Sequence, residues 1–335
     1  MKTSVAEART ASTAGSRLTE RIASLLPGFT DIVTELHGHF CLVAASHECT
    51  VATPAACVTD SKLRVKGLEP HQIAAGWNAM NSQQQAMADL LSTHTCSFYQ
   101  VDIPALINSK PSVLLTHLKP AATELDPSED ELISALKTIL PGLAVVSANP
   151  TSLSEIYSLY HKIAYVTHSP EKAVSCVAAA RLELNNVGRT VTRKLGSRRR
   201  RPRVAVVQWT DPLYIAGDWV PSVVSISAQQ DERVKPGLPS VPVQPSSLHG
   251  NDIIIFALCG LPMSACECIV KKCYTTNLDL PRLSDSRYII SDATLLFSRP
   301  SLVNVVNTAK AVAEIVMDNS EYGLKGKMWR EWTWG

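Results

Sequence analysis

One long helical pattern divides the chain into two halves of similar design. Ser169, Pro170 and Glu171 form a strong helix start: a serine N-cap, a proline in the first turn and an acid that opposes the helix dipole. Apolar residues at helical spacing continue as far as Leu195, over about 25 residues, so the helix would be about 38 Å long. This length is sufficient to run along two lobes, and Gly196 ends the pattern.

Strands and helices alternate on both sides of this helix. Before it, apolar runs predict strands at 21–27, 40–45, 112–116 and 143–147, and helical spacing predicts helices at 30–36, 82–92, 101–108, 129–140 and 152–166. After it, the pattern predicts strands at 203–209, 252–257 and 288–290, an irregular segment at 229–249 and a final helix at 301–316. Such alternation is typical of parallel sheets covered by helices on both faces.

The predicted fold class is therefore α/β: two Rossmann-like lobes with parallel sheets, joined by one long helix. The expected boundaries are a disordered N-terminal tail over 1–17, an N-terminal lobe over 18–168, the linking helix and a basic loop over 169–201, and a C-terminal lobe over 202–335. Trp329, Trp332 and Trp334 close the chain; we expect them to pack onto the body, with a partner-binding patch as the alternative.

Composition restricts the function classes. With 45% hydrophobic residues, 19% charged residues and a formal net charge of +2, the 335-residue chain is globular and has no overall field that would attract nucleic acid. No stretch approaches the roughly 20 apolar residues of a membrane span, so no membrane insertion is expected. The arginine run 198–201 is interpreted as a solvated loop, with a phosphate or targeting patch as the alternative.

The N-terminus and the cysteines predict a cytoplasmic location. Residues 1–17 lack the apolar segment of a secretory signal, and nine cysteines without a C-x-x-C pair favour reduced thiols over a disulfide framework. Zinc binding is the sharper alternative for Cys259, Cys266, Cys268 and Cys273, but their spacing lacks the paired knuckles of structural zinc sites. No metal site and no catalytic cofactor are predicted.

Five motifs occur in order between residues 21 and 316. They are Arg21-Ile-Ala-Ser-Leu-Leu-Pro27 followed by Asp31-Ile-Val33, Ser46-His47-Glu48-Cys49, the run from Arg203 to Pro221 that contains Gln208-Trp209 and Gly217-Asp218-Trp219, Cys259-Gly260 after an apolar strand, and Phe297-Ser-Arg-Pro300. Together they resemble the cobalamin-binding branch of the periplasmic solute-binding proteins, which serve transporters of cobalamin and iron chelates. The resemblance implies a binding protein whose ligand, a cobalamin, another corrinoid or a related metal chelate, lies in the interlobe cleft.

The chain departs from this branch at several positions. Gln208 replaces a glutamate and Asp218 replaces a histidine, and residues 117–121 replace a cysteine-containing run. Relatives that dock onto a membrane permease present a glutamate on each lobe, whereas the corresponding stretches here, 101–110 and 243–250, offer Asp102 as their only acid. Docking to an ABC permease is therefore doubtful, because the attraction to the permease's arginines is missing.

Ligands of parallel α/β lobes lie at the carboxyl ends of the strands, so the loops after the predicted strands supply the candidate site. The candidate ligand-binding residues are Pro27, Ser46, His47, Glu48, Cys49, His117, Trp209, Tyr214, Asp218, Trp219, Cys259, Gly260, Phe297, Ser298 and Arg299. The segment from Trp209 to Trp219 is expected to form the main wall of the cleft, since a flat corrin ring favours aromatic faces. The alternative is that both tryptophans are core residues.

Three of these residues have alternative roles. His47 and Cys49 are candidate contacts to the metal centre of a ligand, or they only form hydrogen bonds within the protein. Arg299 is expected either to hold a carboxylate or phosphate at the start of the last helix or to form a salt bridge between the lobes.

The sequence favours a binding module over an enzyme. It contains no G-x-S-x-G, P-loop, H-E-x-x-H or G-x-G-x-x-G motif. An interaction protein that kept the fold but lost the ligand is the alternative, because Gln208, Asp218 and the missing docking acids all depart from the binding proteins it resembles.

Overall fold

Two α/β lobes and a long connecting helix make up the architecture. The structure, a computed structural model, describes residues 20–49, 55–61, 95–96, 99–117, 133–134, 136–196, 200–275 and 286–333. The predicted fold class is confirmed. The expected tail over 1–17 and the expected helix over 82–92 lie outside the described residues, and the expected lobe boundaries stay predictions.

The first lobe is built on a parallel sheet. The strands described in this lobe are β1 (Ile22–Ser24), β2 (Leu42–Ala45), β3 (Ala56–Cys57), β4 (Thr59–Ser61), β5 (Thr95–Cys96), β6 (Tyr99–Val101), β7 (Val113–Thr116) and β8 (Ala144–Ser147). In the described part of the lobe the main sheet has the order β3-β2-β1-β7-β8, with every pair parallel. The strands β4, β6 and β5 form a separate antiparallel sheet, which is not among the sequence predictions.

Helices cover the first sheet and lead into the linking helix. They are α1 (Pro27–His37), α2 (Ile103–Asn108), α3 (Leu153–Val166) and the linking helix α4 (Pro170–Leu195), and residues 136–139 are also helical. A 3₁₀ turn (His39–Cys41) precedes β2. The helix α4 has 26 residues and confirms the predicted long helix. It buries one stripe of apolar residues at spacings of three and four: Ala173, Val177, Ala180, Leu184, Val187 and Val191.

The second lobe is built on a mixed sheet, whereas a parallel sheet is predicted. Its described strands are β9 (Arg203–Thr210), β10 (Leu213–Ile215), β11 (Gln229–Gln230), β12 (Val241–Pro242), β13 (Ile253–Phe256), β14 (Arg287–Ser291) and β15 (Trp329–Glu331). The strands β9, β13 and β14 are parallel, with β11 added parallel to the start of β9. The strands β10 and β12 pair antiparallel on one side, because β9 turns back at Asp211 and Pro212 instead of leading into a helix, and β15 pairs antiparallel with β14 at the opposite edge.

The helices of the second lobe pack its sheet against the linking helix. They are α5 (Val220–Val224), α6 (Met263–Thr275) and α7 (Leu302–Met317), with a 3₁₀ turn (Pro245–Leu248) in the irregular segment. The helix α7 is the predicted final helix, whereas α6 is not among the sequence predictions. The helix α4 packs against α3 of the first lobe and α7 of the second. One hydrophobic core therefore extends through both lobes.

The C-terminal segment packs onto the body around one buried carboxylate. Glu314 in α7 is fully buried, and its carboxylate accepts hydrogen bonds from the backbone N–H groups of Tyr322 (2.6 Å) and Lys325 (3.0 Å) and from the indole of Trp329 (2.8 Å). Trp332 lies edge-on to Phe256, with ring centroids 6.4 Å apart. The predicted packing of these tryptophans is confirmed, and Trp334 lies outside the described residues.

The basic run after α4 contacts the second lobe. The guanidinium of Arg200 donates to both carboxylate oxygens of Asp252 at 2.9 Å. Arg201 donates to the backbone oxygen of Ile226 at 2.9 Å and to Thr192 Oγ1 at 3.0 Å. These contacts fix the end of the linking helix, while residues 198–199 lie outside the described residues.

Candidate functional site

The loop after β2 carries the predicted Ser-His-Glu-Cys motif and is held by a neighbouring strand. Ser46 is buried, and Thr59 Oγ1 donates to its hydroxyl at 3.2 Å. The backbone N–H of His47 donates to Thr59 Oγ1 at 3.0 Å, and His47 Nδ1 lies 2.7 Å from the same oxygen. Thr59 therefore fixes the orientation of the imidazole, as a hydrogen-bond partner does for ligating histidines. Glu48 at the tip of the loop is exposed.

The helix that follows β1 holds this loop through a hydrogen bond to Cys49. Cys49 Sγ donates to Thr30 Oγ1 at 3.0 Å, and Thr30 in turn bonds to Ser24 Oγ at 2.9 Å. Pro27 starts α1 in the first turn, where its missing N–H costs no hydrogen bond. Burial raises the pKa of the Cys49 thiol, and the hydrogen bond to Thr30 offsets only part of this shift. The thiol is therefore protonated near neutral pH and is a weak metal ligand in this state.

His117 lies directly after β7, at the same carboxyl edge of the first sheet. The side chain is partly buried, and burial lowers its pKa below the usual histidine value. The imidazole is therefore neutral near pH 7.

The second lobe contributes the loop after β13 and the start of the segment before α7. Cys259 and Gly260 are exposed, and Gly260 has a φ of 73°, which favours glycine. The backbone N–H of Gly260 donates to Ser298 Oγ at 3.4 Å. The side chain of Cys259 has accessible surface, but the surrounding protein atoms desolvate its thiol and raise its pKa. The carboxylate of Glu48 raises this pKa further. Because Glu48 belongs to the first lobe, the two loops lie within electrostatic reach of each other.

Arg299 joins the two lobes directly. The guanidinium is buried, donates to the backbone oxygen of Glu48 at 3.1 Å and lies 3.6 Å from a carboxylate oxygen of Asp31. Burial raises the pKa of Asp31, and the charge of Arg299 and the amide of Asn304 offset part of this shift. Of the two predicted roles, the structure shows the interlobe salt bridge. The lobes also touch at Gly28, where an added Cβ would lie 2.8 Å from Pro300 Cδ.

The hairpin from Trp209 to Trp219 does not present all of its aromatic side chains to the cleft. Trp209 and Tyr214 pair across β9 and β10 and are partly exposed, and the Trp209 indole donates to the backbone oxygen of Asp211 at 3.2 Å. Trp219 is only 5% exposed and packs in the core that both lobes share. Its placement as the main cleft wall is corrected, because the indole is buried among the apolar residues of that core.

Phe297 is corrected in the same way, since it is 6% exposed and packs in the same core. Of the four aromatic residues predicted for the cleft, Trp209 and Tyr214 are left with accessible surface.

Asp218 lies in a turn that depends on the glycine before it. An added Cβ at Gly217 would lie 2.4 Å from the backbone oxygen of Leu238, so only glycine fits. Asp218 adopts a φ of 52°, a conformation that aspartate tolerates better than most residues. Burial raises the pKa of Asp218, and the carboxylate of Glu155 raises it further. Asp218 and Glu155 therefore bring acidic groups of both lobes within reach of each other.

Sequence reasoning missed Glu155, Thr59 and Asp31 as parts of this region. Glu155 had a recognisable signal: Ser152 Oγ caps α3 by accepting from the N–H of Glu155 at 3.2 Å, and the Glu155 carboxylate accepts from the N–H of Thr151 at 2.7 Å. Thr59 and Asp31 had no such signal, because their role depends on which loops the fold brings next to them.

The described residues contain no group of three or more histidine, cysteine, aspartate or glutamate side chains placed to hold a metal ion. The zinc alternative is not supported, because Cys266 Sγ donates to the backbone oxygen of Phe256 (3.4 Å) and Cys273 Sγ to Thr210 Oγ1 (3.5 Å).

Solved structures with the same fold are periplasmic binding proteins. A periplasmic haem-binding protein from Pseudomonas aeruginosa matches with a TM-score of 0.60 at 15% identity, covering 89% of this chain and 93% of that chain. A possible iron-binding, periplasmic solute-binding protein from Staphylococcus epidermidis matches with a TM-score of 0.57 at 17% identity, over 88% and 97%. The chain has the periplasmic solute-binding fold. A periplasmic haem-binding protein from Vibrio cholerae shares this fold, with a TM-score of 0.55 at 13% identity over 88% and 98%.

No family model and no curated protein matches the chain. The three solved structures named above are binding proteins by their descriptions. The prediction of a cytoplasmic location is contradicted, because these proteins are periplasmic. In the described residues, no helix is both long and apolar enough to cross a membrane.

Proposed function

We propose that this protein binds a metal chelate of the corrinoid or haem class between its two lobes and catalyses no reaction. The observation that carries the proposal is the meeting of the two carboxyl edges. There the loop 46–49 of the first lobe and the loops at Cys259 and Ser298 of the second approach each other around Arg299. Ligands of parallel sheets bind at such edges.

The residues around this edge have the chemistry that a flat chelate needs. Trp209 and Tyr214 have accessible aromatic surface, and ring stacking on such a side chain contributes about 1 kcal/mol beyond burial of area. Ser298 and Glu48 offer polar groups to the edge of the ligand. His47, with its ring orientation fixed by Thr59, is the best-placed residue to approach the metal, since imidazole ligates both cobalt and iron.

Proteins with this fold support the ligand class. The Pseudomonas and Vibrio proteins bind haem according to their descriptions, and the Staphylococcus protein is described as iron-binding. An extracytoplasmic location is part of the proposal for the same reason. Docking to a permease is left out of it, because Asp102, the only acid in the two expected docking stretches, caps α2 by accepting from the N–H of Ala105 at 2.9 Å.

Absorbance titration of the purified protein tests the proposal. We expect haemin or a corrinoid such as cyanocobalamin to bind with one-to-one stoichiometry and to shift its visible bands. His47→Ala should weaken binding at least about tenfold, which corresponds to 1.4 kcal/mol. His249→Ala is the matched control, because His249 is exposed and precedes β13, at the opposite edge of the sheet.

An interaction protein without a ligand is the second candidate. It is favoured by the buried positions of Trp219 and Phe297 and by Arg299, whose guanidinium is already used between the lobes. Unshifted spectra with haemin, cyanocobalamin and an iron siderophore would support this candidate and contradict the first.

A further inference from the structure

An open groove with a basic rim runs along the linking helix. It has a volume of about 870 Å³ and lies between α3, α4 and the turn at Ile226 of the second lobe. Its apolar floor includes Leu153, Tyr157 and Leu184. Its rim carries Arg181, Arg189, Arg193 and Arg201, and we call it the arginine groove.

The arginines of the rim are arranged in a row. Arg181, Arg189 and Arg193 are eight and four residues apart on α4, so they lie on one side of the helix, about 12 Å and about 6 Å apart along its axis. Arg201 is held next to the last two, because its guanidinium donates to Thr192 Oγ1 at 3.0 Å and to Ile226 O at 2.9 Å.

The groove has an excess of positive charge. No acidic residue lines it, and among the described residues no carboxylate lies within ion-pair distance of Arg181, Arg189 or Arg201. Arg181 instead lies over the ring of Tyr157, with its guanidinium carbon 4.7 Å from the ring centroid. Arg193 is within electrostatic reach of Glu321, but that carboxylate is bonded to Lys194 Nζ at 2.6 Å.

A row of guanidinium groups over an apolar floor fits an anion with an organic part. Guanidinium forks bind carboxylate and phosphate oxygens through two parallel hydrogen bonds, and bound anions would relieve the repulsion within the row. The floor formed by Leu153, Leu184 and Ile226 would cover the apolar part of such a molecule. We infer that the arginine groove binds a small polyanion with two or more phosphate or carboxylate groups about 6–12 Å apart.

Calorimetric titration with adipate and with sebacate tests this site, because their extended chains place two carboxylates near the shorter and the longer spacing of the row and carry an apolar part. The double variant Arg189→Gln/Arg193→Gln should bind at least about tenfold more weakly than the unaltered protein, a loss of 1.4 kcal/mol. The double variant Lys172→Gln/Lys271→Gln removes the same charge from exposed helical positions outside the groove and should bind within about twofold of the unaltered protein. Arg189 and Arg193 are exposed, so both doubles should keep the helical circular dichroism and the melting temperature.

Vesicles separate a free anion from a lipid headgroup. Phosphatidylcholine vesicles that contain phosphatidylglycerol should not compete with sebacate for the protein. The inference is overturned by the absence of heat with both anions, by equal losses in the two double variants, or by binding to vesicles alone. If the arginine double variant unfolds, Arg189→Gln alone against Lys172→Gln gives the same comparison.

Discussion

Removal of a single hydroxyl group, Tyr160→Phe, should weaken the attachment of the second lobe to the first. Tyr160 in α3 is 0% exposed, and its hydroxyl donates to Glu35 Oε2 at 2.6 Å. The Tyr160 hydroxyl oxygen itself accepts from the backbone N–H of Leu302 at 2.7 Å, and Glu35 Oε1 accepts from the N–H of Val303 at 3.3 Å. The first lobe therefore caps the first turn of α7, where N–H groups have no partner within the helix.

The cost follows from the groups left without partners. In Tyr160→Phe the buried N–H of Leu302 loses its acceptor, which costs about 1–3 kcal/mol, and Glu35 loses a hydrogen bond of comparable value. Because the two losses share one hydroxyl group and add only in part, we expect a decrease of about 2–4 kcal/mol in the free energy of unfolding. Burial raises the pKa of Glu35, and the Tyr160 hydrogen bond opposes this shift, so the pKa should rise further in the variant.

Urea unfolding followed by circular dichroism measures this loss. Tyr165→Phe is the matched control, because Tyr165 lies on the same helix and is 77% exposed; it should stay within about 0.5 kcal/mol of the unaltered protein. A Tyr160→Phe protein that also stays within this range would refute the argument that the first lobe caps α7.

Three further changes test the packing of the chain. Gly217→Ala should destabilise the protein by at least about 2 kcal/mol in thermal or urea unfolding, because the added Cβ would collide with backbone atoms. Gly188→Ala in α4 is the control: its Cβ would make ordinary contacts at 3.5 Å, so it should be neutral or stabilise by up to about 1 kcal/mol. Glu314→Gln places an NH₂ group where N–H donors converge, so it should lower the free energy of unfolding in urea by about 2–4 kcal/mol. Glu232→Gln changes an exposed loop residue and is the control; a Glu314→Gln effect no larger than that of the control would contradict the prediction. Burial lowers the pKa of His37 from 6.5 to about 4, so between these pH values the unfolded chain binds a proton at His37 that the folded protein does not. The free energy of unfolding should therefore decrease as the pH falls from 6.5 toward 4, and an NMR titration that gives a ring pKa near 6.5 would contradict this.

The central strands and the long helix could be predicted because each has a sequence pattern of its own. Strands β9 and β13 are buried on both faces and appear as continuous apolar runs. The helix α4 combines a start signal with a regular apolar stripe. The residues Cys266, Val270 and Cys273 of α6 follow a helical spacing, but the sequence alone does not show whether such cysteines act as metal ligands or as small apolar side chains.

The edge strands of the second sheet could not be predicted in this way. The strands β10, β12 and β15 contain two or three residues each, too few for a periodic pattern, and their pairing depends on where the hairpin at Asp211 and the C-terminal segment return to the sheet. Tertiary packing decides such short strands.

The position of the candidate site could be predicted, but which of its side chains are exposed to solvent could not. The loops at 46–49 and 259–260 follow strands, so their location at the carboxyl edges could be inferred from order alone. Whether Trp219 faces the cleft or the core depends on the direction of α5, which the residue types around it do not reveal. The partners Thr59 and Asp31 come from distant parts of the first lobe and become neighbours only in the fold.

Hydrogen–deuterium exchange of the protein with and without bound haemin tests most directly whether the ligand lies between the lobes. The proposed function predicts slower exchange in the loops after the strands of both lobes, at 46–49 in the first and at 259–260 and 297–299 in the second. Protection in one lobe alone, or protection confined to the arginine groove along α4, would contradict it.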